Sequence, residues 1–264
     1  MAGRPIQVIE RNEAGRYVLN EDALAPLLEC YRLEGKKLLV LAISGAFRKG
    51  KSFVLNVILR YLRCQQKDAS EDDRLFLDPR ASLDGFDFRQ SEQRVTEGII
   101  MWSEPFFVKN AKGEEVAVLI LDTEGAFDTN SSQRQCATVF ALATLLSSLL
   151  IFNVQGDVQE DKLQCLDFFA EYAALTGKHS EEPPFQKLLF LVRDWSNTST
   201  WGAMVGERIL DLKMATPPGM DTGMVELRER IVQCFEERSC FLLPHPGDKV
   251  DLGSIEDVRI GGQA

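Results

Sequence analysis

Gly45-Ala46-Phe47-Arg48-Lys49-Gly50-Lys51-Ser52 fits the pattern G-x-x-x-x-G-K-[ST], whose spacing suits one chemistry, the cradling of a polyphosphate. A glycine-rich turn lets backbone N–H groups approach phosphate oxygens, and a helix N-terminus directly behind it adds a favourable dipole. In this reading Lys49, Gly50, Lys51, Ser52 and Phe53 belong to the nucleotide site. Lys51 neutralises the outer phosphates, and the Ser52 hydroxyl is placed to hold Mg²⁺. The expected ligand is a nucleoside triphosphate.

Two further sites end apolar runs. Val116 to Leu121 delivers Asp122-Thr123-Glu124-Gly125, in which Asp122 is expected to hold Mg²⁺ through water and the Gly125 N–H to sense the γ-phosphate. Phe190-Leu191-Val192 delivers Arg193-Asp194, and Asp194 is the candidate to accept hydrogen bonds from guanine N1–H and its exocyclic amine. Adenine offers no matching donor pair. Small GTPases place a water-orienting Gln directly after the Asp-x-x-Gly glycine, whereas this chain has Ala126 there. Arg48, inside the loop, is the candidate for an arginine finger supplied in cis, with a solvated loop arginine as its plain alternative.

These residues need a sheet edge to carry them. Strand-like runs at 38–43, 98–101, 116–121, 149–154, 188–193 and 240–243 alternate with helix-like patterns at 51–63, 134–147, 159–175, 205–213 and 223–238. That alternation predicts an α/β fold, a mostly parallel central sheet with helices on both faces. Pro5–Ile9 and Arg16–Asn20 read as a hairpin before a helix from about Glu21. Segments 64–97, 196–204 and 244–264 read as loops, the first long and turn-rich.

Composition narrows the class. With 264 residues, 45% of them hydrophobic and 27% charged, the chain has enough material for one large α/β core, and 1–264 reads as a single domain. Six cysteines without a C-x-x-C pair, beside two histidines, argue for reduced thiols and against zinc. A net charge of -10 argues against broad nucleic-acid binding or adhesion to anionic lipid. The polar N-terminus and the interruption of Val139–Val154 by Thr144, Ser147, Ser148 and Asn153 predict a cytosolic domain with neither signal peptide nor membrane segment.

The Arg-Lys-Gly-Lys-Ser core of the loop, Asp122-Thr123-Glu124-Gly125, and Arg193-Asp194 in place of Asn-Lys-x-Asp resemble an atlastin-type GTPase of the dynamin superfamily, related to guanylate-binding proteins. The resemblance extends through Tyr17–Leu24, Ala137–Leu142, Val158–Asp161 and Phe241–Gly247, so it covers essentially the whole chain. It implies a P-loop GTPase fold with a large G domain that binds GTP and GDP, uses Mg²⁺, and forms a homodimer through the nucleotide face. In full-length members a helical bundle and membrane segments follow, and the protein tethers and fuses endoplasmic reticulum membranes from their cytosolic face. No such parts are expected within these 264 residues.

Carried over by position, the resemblance makes Arg48 the catalytic arginine and Thr96 the switch threonine that addresses Mg²⁺ and the attacking water. Arg89 and Arg94 match switch-region arginines that serve closure or the dimer, and Val250 matches an apolar residue of the loop over guanine. Three departures stand out. Glu124 replaces the usual Gln, Glu97 replaces a usual Thr and brings negative charge near the phosphates, and Gly253 replaces an Asn of the base-capping loop. Two functions follow: Mg²⁺-dependent hydrolysis of GTP coupled to dimerisation, or a GTP-dependent interaction module with little hydrolysis, like a guanylate-binding protein.

Overall fold

The computed structural model describes residues 3–47, 49–66, 83–87, 98–125, 132–174 and 183–245. Its contacts divide the chain into two compact units, one of Met1–Leu39, Gly50–Asp122 and His245–Ala264, the other of Val40–Lys49 and Thr123–Pro244.

In the first unit, strands β1 (Pro5–Arg11), β4 (Ile99–Trp102) and β6 (Glu115–Thr123, ending one residue into the second unit) follow β2 (Tyr17–Leu19) in the order β2-β1-β4-β6, and β5 (Phe106–Lys109) pairs with β6. The β1–β2, β1–β4 and β5–β6 pairs are antiparallel. Helix α1 (Glu21–Leu28) starts at Asn20, whose side chain accepts the Ala23 N–H. Helix α2 (Lys51–Gln65) buries Leu55 and Leu59 completely, each burial stabilising by about 1.5–3 kcal/mol. Its Asn56, also fully buried, clasps Phe86 by donating to the carbonyl and accepting from the N–H. Residues 83–87 are thereby tied to the helix that follows the phosphate loop.

The second unit contains the parallel sheet that the alternation predicts. Strand β3 (Lys37–Gly45) contributes Val40–Gly45, followed by β7 (Leu149–Gln155), β8 (Phe185–Trp195) and β9 (Phe235–Pro244), all pairs parallel. The apolar centres of these strands are buried, with Ile43, Leu150, Phe190 and Leu242 nearly or wholly inaccessible, as strands covered on both faces require. Helices α3 (Gln133–Leu146), α4 (Glu160–Ala174), α5 (Ala203–Met214) and α6 (Thr222–Cys234) connect or follow them. Phe140 of α3 stacks on Phe169 of α4 at 4.1 Å between centroids and meets Phe152 of β7 edge-on. Buried Arg228 of α6 grips both carboxylate oxygens of Glu160 on α4 and donates from Nε to the Lys213 carbonyl at the end of α5. That contact joins three helices at a point where an uncompensated charge would be costly.

Two expectations need correction. The helical reading of 223–238 runs too far, because α6 ends at Cys234 and β9 already begins at Phe235. Glu236, Glu237 and Arg238 lie on a strand whose one ladder among the described residues is with β8, its other side meeting a single bridge between Leu242 and Gly202, so their polarity imitates a solvated helix face. Strand β5 has no counterpart in the sequence reading. Four residues gave too short a signal, although the turn at Asn110–Gly113 is well formed, the Asn110 side chain accepting from the N–H groups of Lys112 and Glu114. The six cysteines, all described, form no disulfide, and burial pushes the Cys165 and Cys240 thiols up to about 12. Among the described residues no helix is long and apolar enough to cross a membrane.

Candidate functional site

The phosphate loop leaves β3 at Gly45 and enters α2 at Lys51. In the first unit Gly50 is the N-cap of α2, with φ 67° and ψ 32°, a left-handed conformation that glycine adopts without steric cost. It carries no side chain and so makes no capping hydrogen bond of its own at the start of the helix. Lys51 is buried and Phe53 half-buried. The Ser52 hydroxyl donates to Asp122 Oδ2 at 2.6 Å, and Asp122, near the carboxyl end of β6, is wholly inaccessible to solvent.

A hydroxyl beside a buried carboxylate is an all-oxygen donor set, which suits a hard divalent cation. No group of three or more His, Cys, Asp or Glu that could hold a metal occurs among the described residues. One hydroxyl and one carboxylate fit an ion that keeps several waters and takes phosphate oxygens besides, as Mg²⁺ does.

In the second unit the register of the parallel strands sets the geometry. Gly45 pairs with Asn153, and Gln155 pairs with Arg193. Asn153 is buried and donates from Nδ2 to the Lys49 carbonyl at 2.8 Å, tying the loop to the end of β7. Its Oδ1 is buried and accepts no hydrogen bond among the described residues. Thr123 anchors the turn after Asp122 by donating from Oγ1 to the Ile43 carbonyl at 2.7 Å. Glu124 and Gly125 follow, both buried.

Asp194 is the one non-glycine residue of positive φ, 58°, among those described, and the β8–β9 register shifts across it, between Arg193 and Trp195. Gln155 Nε2 donates to Asp194 Oδ2 at 2.8 Å. Burial lowers the Arg193 guanidinium from its usual range, against the opposing pull of the Asp194 charge. A cavity of about 240 Å³ opens in this unit, walled by Gly45, Lys49, Asn153, Gln155, Lys162 and Phe169 among others.

The structure thus pairs Ser52 with Asp122, Lys49 with Asn153, and Asp194 with Gln155. Arg48, Arg89, Arg94, Thr96 and Val250 lie outside the described residues, as do Glu97, Ala126 and Gly253. Sequence reasoning missed Asn153 and Gln155. The available signal was two polar residues closing an otherwise apolar strand, at the edge where open α/β sheets bind ligands.

Gly45 is the tightest point. At φ 146° its backbone disfavours any side chain, and a Cβ there would stand 2.4 Å from the Asn153 carbonyl oxygen. Gly45→Ala is expected to destabilise the fold by about 1–3 kcal/mol, read as a lower denaturant midpoint at constant slope. An unchanged midpoint would mean that the end of β7 yields to the added methyl.

Comparison with known proteins places this arrangement in a family. The family model of the guanylate-binding protein N-terminal domain matches residues 14–261. The chain is 43% identical to Atlastin of Drosophila melanogaster over 98% of its own length and 48% of that protein's. It is 41% identical to Atlastin-3 of Homo sapiens, over 96% of the chain and 48% of the relative, and 40% identical to Atlastin-1 of Mus musculus, over 97% and 45%. The chain therefore spans about half the length of the curated relatives it matches. Motifs, fold and matches agree: the chain belongs to the guanylate-binding protein N-terminal domain family, as an atlastin-type GTPase G domain with an α/β P-loop fold.

Proposed function

We propose that residues 1–264 act as one G domain that hydrolyses GTP to GDP and phosphate in the presence of Mg²⁺ and dimerises as it does so. The observation that carries this reading is the Ser52 hydroxyl on the buried Asp122 carboxylate, at the helix that begins with Lys51. Ser52 would bind Mg²⁺ directly, Asp122 would hold one of its waters, and Thr96 would add its hydroxyl. Bound there, the ion would offset charge on the β- and γ-phosphate oxygens. Lys51 and the loop amides hold the outer phosphates, and Asn153 fixes the loop by its bond to the Lys49 carbonyl. Arg48 meets the charge that develops on the transferring phosphoryl group, and Thr96 orients the water. Asp194 accepts from guanine, while Val250 closes over the base.

Dimerisation through the nucleotide face, with Arg89 and Arg94 on the switch side, would exclude water and press Arg48 inward. In a parent protein with the family's membrane anchors, that cycle would tether and fuse endoplasmic reticulum membranes. The family match over residues 14–261 supports the single-domain reading, because it runs through sequence of both units.

GTP and ATP turnover measured against protein concentration, with mass followed by light scattering in GDP and in GDP plus aluminium fluoride, tests the proposal. The expected result is guanine-specific turnover per domain that rises as dimer forms. A flat rate with no dimer in aluminium fluoride would remove the dimer step. Binding without turnover would favour the interaction module.

A further inference from the structure

Gln155 has no role in the family resemblance, yet it holds the carboxylate on which base selection is proposed to depend. Gln155 and Arg193 are partners in the β7–β8 ladder, and the Gly156 N–H donates to the Arg193 carbonyl at 2.7 Å, so the backbone beneath Gln155 is clamped to β8. Along a regular strand the side chain after Arg193 would leave on the opposite face. The register shift and the φ of 58° at Asp194 turn its carboxylate back toward Gln155. Among the described residues Gln155 is the sole hydrogen-bond donor to that half-exposed carboxylate. Aspartate has two rotatable side-chain bonds, and a carboxylate on a bulge without a donor samples several rotamers.

We propose that Gln155 is a positioning residue for base selectivity: its Nε2–H fixes the Asp194 carboxylate in the plane that guanine's two donors require. The proposal rests on the reading that Asp194 meets the base. Gln155 reaches because its amide stands one methylene farther from the strand than asparagine's, and its solvent exposure means that replacing it leaves the core untouched. It acts on affinity and choice of base, not on the phosphoryl step.

The test is calorimetric titration of GDP and ADP, with Mg²⁺, into the whole chain carrying Gln155→Ala, Gln155→Glu or Asp194→Asn. Gln155→Ala is expected to weaken GDP about tenfold and leave ADP unchanged, as loss of a charge-assisted hydrogen bond would do. Gln155→Glu sets two carboxyl groups against each other, so the introduced group binds its proton more readily and, once protonated, donates to Asp194. GDP affinity of that variant should recover on lowering the pH from about 8 to about 5.5, while Gln155→Ala stays flat. The surrounding ionisable groups, Asp194 and Arg193 on β8 and Lys49 and Lys162 around the cavity, are common to both variants. Equal weakening of GDP and ADP, or an unchanged ratio in both Gln155 variants, overturns the proposal. If Asp194→Asn leaves guanine preference intact, the reading of Asp194 falls and the proposal falls with it. A collapse with Asp194→Asn alone removes only Gln155.

Discussion

Asp194→Asn is expected to turn a guanine-selective domain into one that prefers xanthine nucleotides. As proposed, the carboxylate would offer two acceptors to the N1–H and exocyclic amine of guanine, whereas the amide would present an N–H to one of them and set two donors against each other. A site built for hydrogen bonding rejects a mismatched partner by about 10⁴–10⁵-fold, and the loss of GTP turnover at low substrate should approach that range. Xanthine carries a carbonyl where guanine has its amine, so it accepts the new N–H and should recover most of the activity. The substitution is clean for a backbone reason: at φ 58° asparagine is among the few residues that fit, and its carbonyl oxygen can still accept from Gln155. Competition of GTP, XTP and ATP in a steady-state assay reads the outcome. Unchanged selectivity would show that Asp194 does not touch the base.

The second large effect belongs to Arg48. Arg48→Ala should lower single-turnover hydrolysis by on the order of a thousandfold while GTP affinity changes little, because an arginine finger in cis acts on charge that appears only during transfer. The chain has Ala126 where small GTPases keep a water-orienting Gln, so on the proposed mechanism the loop arginine would carry a larger part of the catalytic task. A rate within a few-fold of the native chain would instead identify a GTP-dependent interaction module. Glu124, buried next to Gly125, and Glu97, which follows Thr96 in the sequence, would then be the first residues to examine.

The parts of the site legible in the sequence are those whose backbone or charge leaves little choice of residue. Gly45 must go without a side chain against the Asn153 carbonyl, Gly50 must turn left-handed, and Lys51 and Ser52 must open a helix. Asp122 and Asp194 are acids that end buried strands, a pattern visible without coordinates. Asn153 and Gln155 were hidden because their partners, a loop carbonyl and a carboxylate, lie 104 and 39 residues away along the chain. Those pairs meet only after β3, β7 and β8 align in parallel. The early start of β9 escaped for a different reason, since Glu236 and Glu237 satisfy an edge strand and a helix surface equally well.

Asn153 and Gln155 stand two positions apart on β7, so both project from one side of the pleat. Chemical drift at the buried apolar positions Leu150, Ile151, Phe152 and Val154 is tolerable provided that each stays apolar and of similar bulk. A single insertion or deletion there is not, for it would rotate both amides to the far side in one event and release the loop and the Asp194 carboxylate together. Across descendants of this chain the length of β7 should therefore hold steadier than its composition.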